Sequence, residues 1–127
     1  MKNLSIHAVV ITCMFALAGG AQAQGNAASG KRVFSKCKAC HSLKAGKKKV
    51  GPSLYGVFGA KAATVKGFRY SKGMKKSGIV WDEASLDQFL KKPRKFVKRT
   101  KMAFPGLKKK KDRDNLIAYL KEATKKK

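Results

Sequence analysis

Acidic side chains are scarce in this chain of 127 residues. Only six Asp and Glu stand against 31 Lys and Arg, which gives a formal net charge of +25. Asp82 is the first acid, so nothing before it supplies a carboxylate for catalysis or for binding a metal ion. So basic a chain is expected to be soluble and monomeric, and to be attracted to anionic surfaces such as nucleic acid, acidic lipid or an acidic protein face.

Long apolar runs are also missing, apart from a short one near the N-terminus. Lys2 precedes an apolar stretch at 8–17, and Ala21-Gln22-Ala23 has the small residues of a signal-peptidase site. A permanent membrane helix is the alternative, but it needs about 20 apolar residues, roughly twice what this stretch offers. The sequence therefore predicts a signal peptide over 1–23, cleavage after Ala23 and export to the periplasm. The remainder, 24–127, is long enough for one domain.

Histidine and cysteine are rare, with two and three copies, and the predicted cleavage removes one of each. The remaining three stand together in Cys37-Lys38-Ala39-Cys40-His41, the C-x-x-C-H spacing of covalent haem attachment. On one helical turn, two thiols reach two vinyl groups of a porphyrin while the next residue offers imidazole to the iron. A zinc site normally needs four ligands, and a thioredoxin-type disulfide needs a βαβ pattern that is absent. A plain structural disulfide remains as the alternative.

The hydrophobic pattern predicts an all-α fold with long loops. Three helices are expected. The first covers 30–41, the second begins at an N-cap at Asp82 and ends before Pro93, and the third covers 112–123. The stretches 42–80 and 94–107 are predicted as irregular. Loops of this length are unusual in a compact domain unless they wrap something, and a large apolar cofactor would supply the missing core.

The second ligand of a haem iron has few candidates here. His41 is the only histidine after cleavage, so a second histidine from the same chain is excluded, which leaves methionine, lysine or an open position. A methionine more often fills a hydrophobic core than binds a metal, and we predict that Met74 is such a core residue. Met102 lies in the loop 100–106 between the two later helices, where it can fold over the opposite haem face.

These motifs together resemble the class I cytochromes c, the family that includes mitochondrial cytochrome c. The resemblance covers essentially all of 24–127. It is carried, in order, by Gly30 with Phe34, Cys37 to His41, Gly51-Pro52-Ser53-Leu54, Gly67-Phe68-Arg69-Tyr70-Ser71, Gly78-Ile79-Val80-Trp81, Thr100 to Gly106, and Leu116-Ile117-Ala118-Tyr119-Leu120.

The resemblance implies one haem c, held covalently by Cys37 and Cys40 and ligated by His41 and Met102. It implies that the Pro52 carbonyl accepts a hydrogen bond from the outer nitrogen of His41, which fixes the ring. The remaining implied contacts are donors to a buried haem propionate, namely Tyr70, Trp81 and Thr100. It also implies that Gly30 and Phe34 pack against Leu116 and Tyr119.

Some positions depart from the family pattern. Ala60 stands where relatives often carry arginine, Met74 where they often carry asparagine, and Phe89 where a tyrosine is common. Lys98-Arg99 replaces a frequent Pro-Gly ahead of the methionine loop. These changes bear on the polarity of the haem environment.

The predicted function is the transfer of single electrons by Fe(II)/Fe(III) cycling, without enzymatic activity, because two axial ligands leave no open site. The alternatives are a peroxidase or gas-binding haem with an open axial site, and a basic protein that binds anions. Expected partners are acidic faces of redox proteins: an oxidase, a quinol-oxidising cytochrome complex, a reaction centre or a periplasmic dehydrogenase. Nucleic acid is not an expected partner, whereas peripheral contact with anionic membrane is compatible with the charge. The stretch 91–111, with 11 basic residues and no acid, is the predicted docking surface.

Overall fold

Residues 24–127 are described by a computed structural model, and they form five α-helices. Their bounds are α1 Ala27–Phe34, α2 Lys72–Lys76, α3 Glu83–Lys91, α4 Pro93–Phe96 and α5 Lys110–Ala123. The predicted signal peptide and its cleavage site lie outside the described residues. Within 24–127 the β-structure is limited to an isolated antiparallel bridge between Lys61 and Val80, and the all-α prediction is confirmed. No helix in this part of the chain has the length and apolar character needed to cross a membrane.

The first and last helices cross at very short range. A Cβ placed on Gly30 would lie only 1.9 Å from the Asn115 carbonyl oxygen and 2.7 Å from Cβ of Tyr119, so the crossing requires glycine. The rings of Phe34 and Tyr119 pack with their centroids 5.5 Å apart. The backbone N–H of Asn26, at the start of α1, donates to Asn115 Oδ1 over 2.7 Å. The predicted packing of Gly30 and Phe34 against α5 is therefore present.

Helix α3 begins at the predicted N-cap. The Asp82 carboxylate accepts from the Ser85 backbone N–H over 2.7 Å, and Ser85 Oγ accepts from the Asp82 N–H over 2.9 Å. The bond from the Ser85 backbone N–H to the charged carboxylate lowers the pKa of Asp82. The apolar face of the helix buries Leu86, Phe89 and Leu90.

The sequence reasoning missed two short helices and made the first helix too long. Helix α2 lies inside 42–80, and α4 begins at Pro93, so the prediction of irregular structure was wrong at both places. Proline suits the first turn of a helix because its missing N–H would have no partner there. Helix α1 ends at Phe34 and not at residue 41, and hydrogen-bonded turns continue the chain to residue 40.

The buried apolar residues come mainly from α1, α3 and α5. Leu116 in α5 is the most deeply buried of them, and Trp81, Val97 and Leu107 join the cluster from the loops. The long loops do not complete this core on the other side. They surround a cavity between themselves and the three helices.

Candidate functional site

The cavity has a volume of about 500 Å³, within the range of sites that hold organic cofactors. Its walls are mostly apolar, and they come from both long loops as well as from α1, α3 and α5. All the residues predicted to bind or ligate a cofactor line it: Cys37, Cys40, His41, Pro52, Tyr70, Trp81, Thr100 and Met102. The fold thus brings together residues that are 65 positions apart in the sequence, from Cys37 to Met102.

The two cysteines occupy one turn directly after α1. The N–H groups of Cys40 and His41 both donate to the Cys37 carbonyl, over 3.0 and 2.9 Å, and this holds the motif in a compact turn. Both thiols are free, so the structure does not join them in the disulfide considered as an alternative. Cys37 is half-buried, and desolvation raises the pKa of its thiol, whereas Cys40 is exposed at the cavity.

A hydrogen bond from its outer nitrogen fixes the imidazole ring of His41. Nδ1 lies 2.8 Å from the Pro52 carbonyl oxygen, which can only accept, so Nδ1 carries the proton and Nε2 keeps its lone pair for a metal. Burial lowers the pKa of His41, which favours the same neutral form. Gly51 packs against the ring, because a Cβ there would lie 2.5 Å from His41 Cε1. Any side chain at Gly51 would therefore displace the imidazole.

The loop 100–106 supplies Met102 from a separate part of the chain. Met102 is half-buried, and its N–H donates to Thr100 Oγ1 over 3.3 Å, which tightens the loop. Lys101 Nζ donates to the Arg69 carbonyl over 2.9 Å and so ties this loop to the other one. Met74 in α2 also lines the cavity, so the fold brings both methionines to it.

Two aromatic residues close another part of the cavity. The Tyr70 hydroxyl accepts from the Val65 N–H over 3.3 Å and keeps its own proton to donate. Partial burial raises the pKa of Tyr70, so the hydroxyl stays protonated at neutral pH. Trp81 is buried, with its ring 5.2 Å from that of Phe89.

These residues fit a covalently attached haem. The large apolar cavity matches a porphyrin, the thiol pair lies at its wall, and a neutral imidazole and a thioether, both groups that can bind a metal ion, also line it. Cys37 and Cys40 would hold the group, with His41 and Met102 toward its iron. When bound, the haem supplies a metal centre that changes oxidation state by one electron.

The carboxylates of this protein are confined to a small part of the fold. The six carboxylates all lie at the start of α3 or within α3 and α5, and none of them lines the cavity. Three are engaged in ion pairs: Asp114 with Lys110, Asp87 with Arg113, and Glu83 with Lys121. Basic residues that line the cavity wall are Lys36, Lys61 and Lys101.

Sequence reasoning missed several of these residues as parts of the site. The contact between Gly51 and the imidazole, and the positions of Lys36 and Lys61 at the cavity, depend on how distant segments meet. A weak signal existed for Gly51, since it directly precedes Pro52. No sequence signal distinguished Lys36 and Lys61 from the other lysines.

A helical fold around a cavity that presents a C-x-x-C-H turn defines a protein with covalently attached haem. Comparison with known proteins agrees: a family model described as "Cytochrome c" matches residues 27–124. The chain belongs to the cytochrome c family. It is an electron carrier and carries one covalent haem c, with Cys37 and Cys40 in the attachment positions.

Individual relatives cover most of the chain. It is 44% identical to cytochrome c-554 of Methylosinus trichosporium over 122 residues, which span 94% of this chain and 92% of the relative. It is 50% identical to cytochrome c2 of Rhodoblastus acidophilus, over 76% and 91% of the two chains. Among solved structures it is similar to cytochrome cH from Methylobacterium extorquens, with a TM-score of 0.73, 49% identity, and coverage of 77% and 99%.

Proposed function

We propose that His41 and Met102 are the axial ligands of the haem iron, and that the protein moves electrons without catalysing a reaction of its own. The observation that carries this proposal is the 2.8 Å bond from His41 Nδ1 to the Pro52 carbonyl. It leaves Nε2 without a proton, with its lone pair able to bind a metal ion. With Met102 on the other side, no coordination position remains for a substrate. Ligation by histidine and methionine also favours a relatively high reduction potential.

The remaining predicted residues act on the periphery of the haem in this proposal. Tyr70, Trp81 and Thr100 each line the cavity and each carry a polar hydrogen. They are suited to donate to a propionate, which would otherwise be a costly charge in apolar surroundings. Ala60 adds no charge there, so these neutral donors carry more of the stabilisation.

The choice between the two methionines can be tested directly, since both line the cavity. Met102→Ala should abolish the weak far-red sulfur-to-iron band of the ferric protein and lower its reduction potential. Met74→Ala is the matched control and should keep the band. Loss of the band in Met74→Ala and its retention in Met102→Ala would contradict the proposed ligation. Spectra of both variants should be taken at the same pH, near neutrality.

We further propose that the protein is exported to the periplasm, with residues 1–23 removed, and that it serves redox complexes there. The exact mass of the protein recovered from the periplasm tests this. It should correspond to 24–127 plus one haem that acid-acetone does not extract. A mass that includes 1–23 would contradict cleavage after Ala23.

The partners in this proposal are redox proteins with acidic docking faces. The basic residues of 91–111 are all exposed, and this stretch contains the loop that lines the cavity with Thr100, Lys101 and Met102. The carboxylates lie on the helices α3 and α5, away from the cavity lining. Such a charge distribution steers the cavity side toward a negative surface before contact.

Two pairs of charge reversals that change the net charge by the same amount test whether the position of the charge matters. Lys95→Glu with Lys98→Glu should slow electron transfer with an acidic redox partner about tenfold or more at low salt, and much less at about 0.1 M salt, where the screening length is ~10 Å. Lys101 is left unchanged because its Nζ holds the Arg69 carbonyl.

The matched control is Lys31→Glu with Lys125→Glu, two exposed positions that do not line the cavity. This pair changes the net charge by the same amount and should slow the reaction much less. The haem spectrum and the reduction potential should stay the same in both pairs. Equal slowing would mean that the partner responds only to total charge.

A further inference from the structure

We propose that Arg113 is a positioning residue, which holds the C-terminal end of the 100–106 loop and thereby keeps Met102 on the haem iron. This inference rests on the proposed ligation by Met102. Arg113 lies on α5 and does not itself line the cavity. It acts through the backbone that follows the loop.

The guanidinium of Arg113 makes three short contacts in a buried setting. Its side chain is only 4% exposed, and Nη1 donates to the carbonyl oxygens of Leu107 and Lys108, each over 2.9 Å. Nε donates to Asp87 Oδ1 over 2.7 Å, so the charge is paired. One side chain therefore links α5, α3 and the end of the methionine loop.

The segment held by Arg113 is itself packed against α3. The Leu107 N–H donates to the Leu90 carbonyl over 2.8 Å, and the Leu107 side chain is 4% exposed. A Cβ on Gly106 would lie 2.3 Å from the Lys91 carbonyl oxygen, so this backbone runs directly along the end of α3. Loss of the guanidinium would leave two carbonyls without a donor at this junction, which is costly where water is excluded.

The N-terminal end of the same loop is held less firmly. Arg99 has a φ of 60°, in the left-handed region that disfavours a residue with a side chain. The neighbouring contacts are a 3.2 Å bond from the Thr100 N–H to the Val97 carbonyl, the exposed bond from Lys101 to Arg69, and the 3.3 Å bond from the Met102 N–H to Thr100. Because this end is strained and exposed, the position of the loop depends on the anchored end at Arg113.

The position of Arg113 in α5 is unusual for a charged residue. It precedes Leu116, Ile117 and Leu120 by three, four and seven residues, so it continues the apolar stripe of the helix. Lysine could place a charge there, but it lacks the planar fork that serves several acceptors at once. The geometry thus explains why arginine stands at this position in a lysine-rich chain.

The test measures how readily an added ligand displaces the methionine in the complete ferric haem protein. Imidazole is the probe, and the far-red sulfur-to-iron band reports the displacement. Arg113→Lys should bind imidazole about tenfold or more tightly than the parent, since hydrogen bonds from a charged donor are lost and the loop opens more easily. Its reduction potential should fall as well, as expected when the methionine is held less firmly.

Two controls separate anchoring of the loop from general stability. Asp87→Asn weakens the ion pair but leaves both carbonyl contacts, so its imidazole affinity should rise much less than in Arg113→Lys. Ile117→Ala removes buried apolar volume from α5 away from the cavity lining, and it should lower global stability with little change in imidazole affinity. An effect in either control as large as that in Arg113→Lys would overturn the proposal, and so would parent-like affinity in Arg113→Lys.

The variant Met102→Ala keeps this inference distinct from the proposed ligation. Because it is expected to lack the far-red band, its imidazole binding is followed by the shift of the main haem absorption band, which is recorded for the parent as well. If Met102 is the ligand, this variant binds imidazole far more tightly than the parent. If its affinity is unchanged, the ligation itself is wrong. A response in Met102→Ala without one in Arg113→Lys refutes only the role of Arg113.

Discussion

The helices and the long loops are held in place by different kinds of contact. In the helical part, α1 crosses α5 with Gly30 against the Asn115 carbonyl, and α3 and α5 share the ion pair between Asp87 and Arg113. In the loop part, apolar side chains such as Phe68 face a cavity. The helices are therefore held together mainly by contacts with one another, whereas the apolar side chains of the loops depend on the haem for packing.

Backbone hydrogen bonds connect the loops mainly to other irregular segments. Leu54 N–H donates to the Ser42 carbonyl over 2.9 Å, and Ala62 N–H donates to the Ile79 carbonyl over 2.8 Å. These bonds fix the path of the loops but bury little apolar surface by themselves. The stability of this part therefore depends on burying the cavity walls against the cofactor.

The largest expected effect follows from preventing haem attachment. The double variant Cys37→Ala with Cys40→Ala should yield a largely unfolded chain, because an empty cavity of about 500 Å³ removes the partner of most loop side chains. Far-ultraviolet circular dichroism and amide hydrogen exchange provide the measurement. Protected amides throughout 42–80 in the haem-free chain would show that the loops are stable without the cofactor.

A smaller effect is expected from adding one methyl group in each region. Gly30→Ala should destabilise the haem protein by about 3 kcal/mol, since the new Cβ collides with backbone at the helix crossing. Gly46→Ala, in the first loop, meets no atom within 4 Å and should cost only about 1 kcal/mol, from its φ of 68°. Denaturant titration of both variants provides the comparison. Equal losses would remove the distinction between the two regions.

The smallest effect concerns the cap of α3. Bonds from Ser85 lower the pKa of Asp82 in the folded protein, so the charged cap stabilises at pH values above the unfolded pKa of about 4. This stabilisation is lost as the pH falls through the lowered pKa that Asp82 has in the folded protein. Asp82→Ala should therefore be less stable than the parent at neutral pH, and the difference should shrink in acid. Denaturant titrations at both pH values test this, and a constant difference would contradict it.

The sequence predicted the longer helices better than the short ones. Asp82 gave a capping signal, and α5 was predicted over 112–123 against the observed Lys110–Ala123. Helices α2 and α4 have five and four residues, too few for a hydrophobic period to become visible. Their formation depends on local caps such as Ser71 and on contacts with the rest of the fold.

The residues of the site also differ in how well the sequence alone could predict them. The C-x-x-C-H motif could be recognised because its residues are neighbours in sequence, and the bond geometry of a single turn explains their spacing. Pro52, Tyr70, Trp81 and Thr100 followed only from the family resemblance, since no local pattern marks them. Arg113 was missed because a charged residue within an apolar stripe is ordinarily assigned to the solvent side of a helix.

We expect a single haem with two protein ligands to cycle between oxidation states with no open position on its iron. A spectroelectrochemical titration of the purified protein, with and without carbon monoxide, tests it most directly. We expect one-electron behaviour, with a slope of about 59 mV per tenfold change in the ratio of oxidised to reduced protein, and the same midpoint under both atmospheres. A midpoint that rises under carbon monoxide would show that the ferrous iron has an accessible site, so that two protein ligands do not fill its coordination.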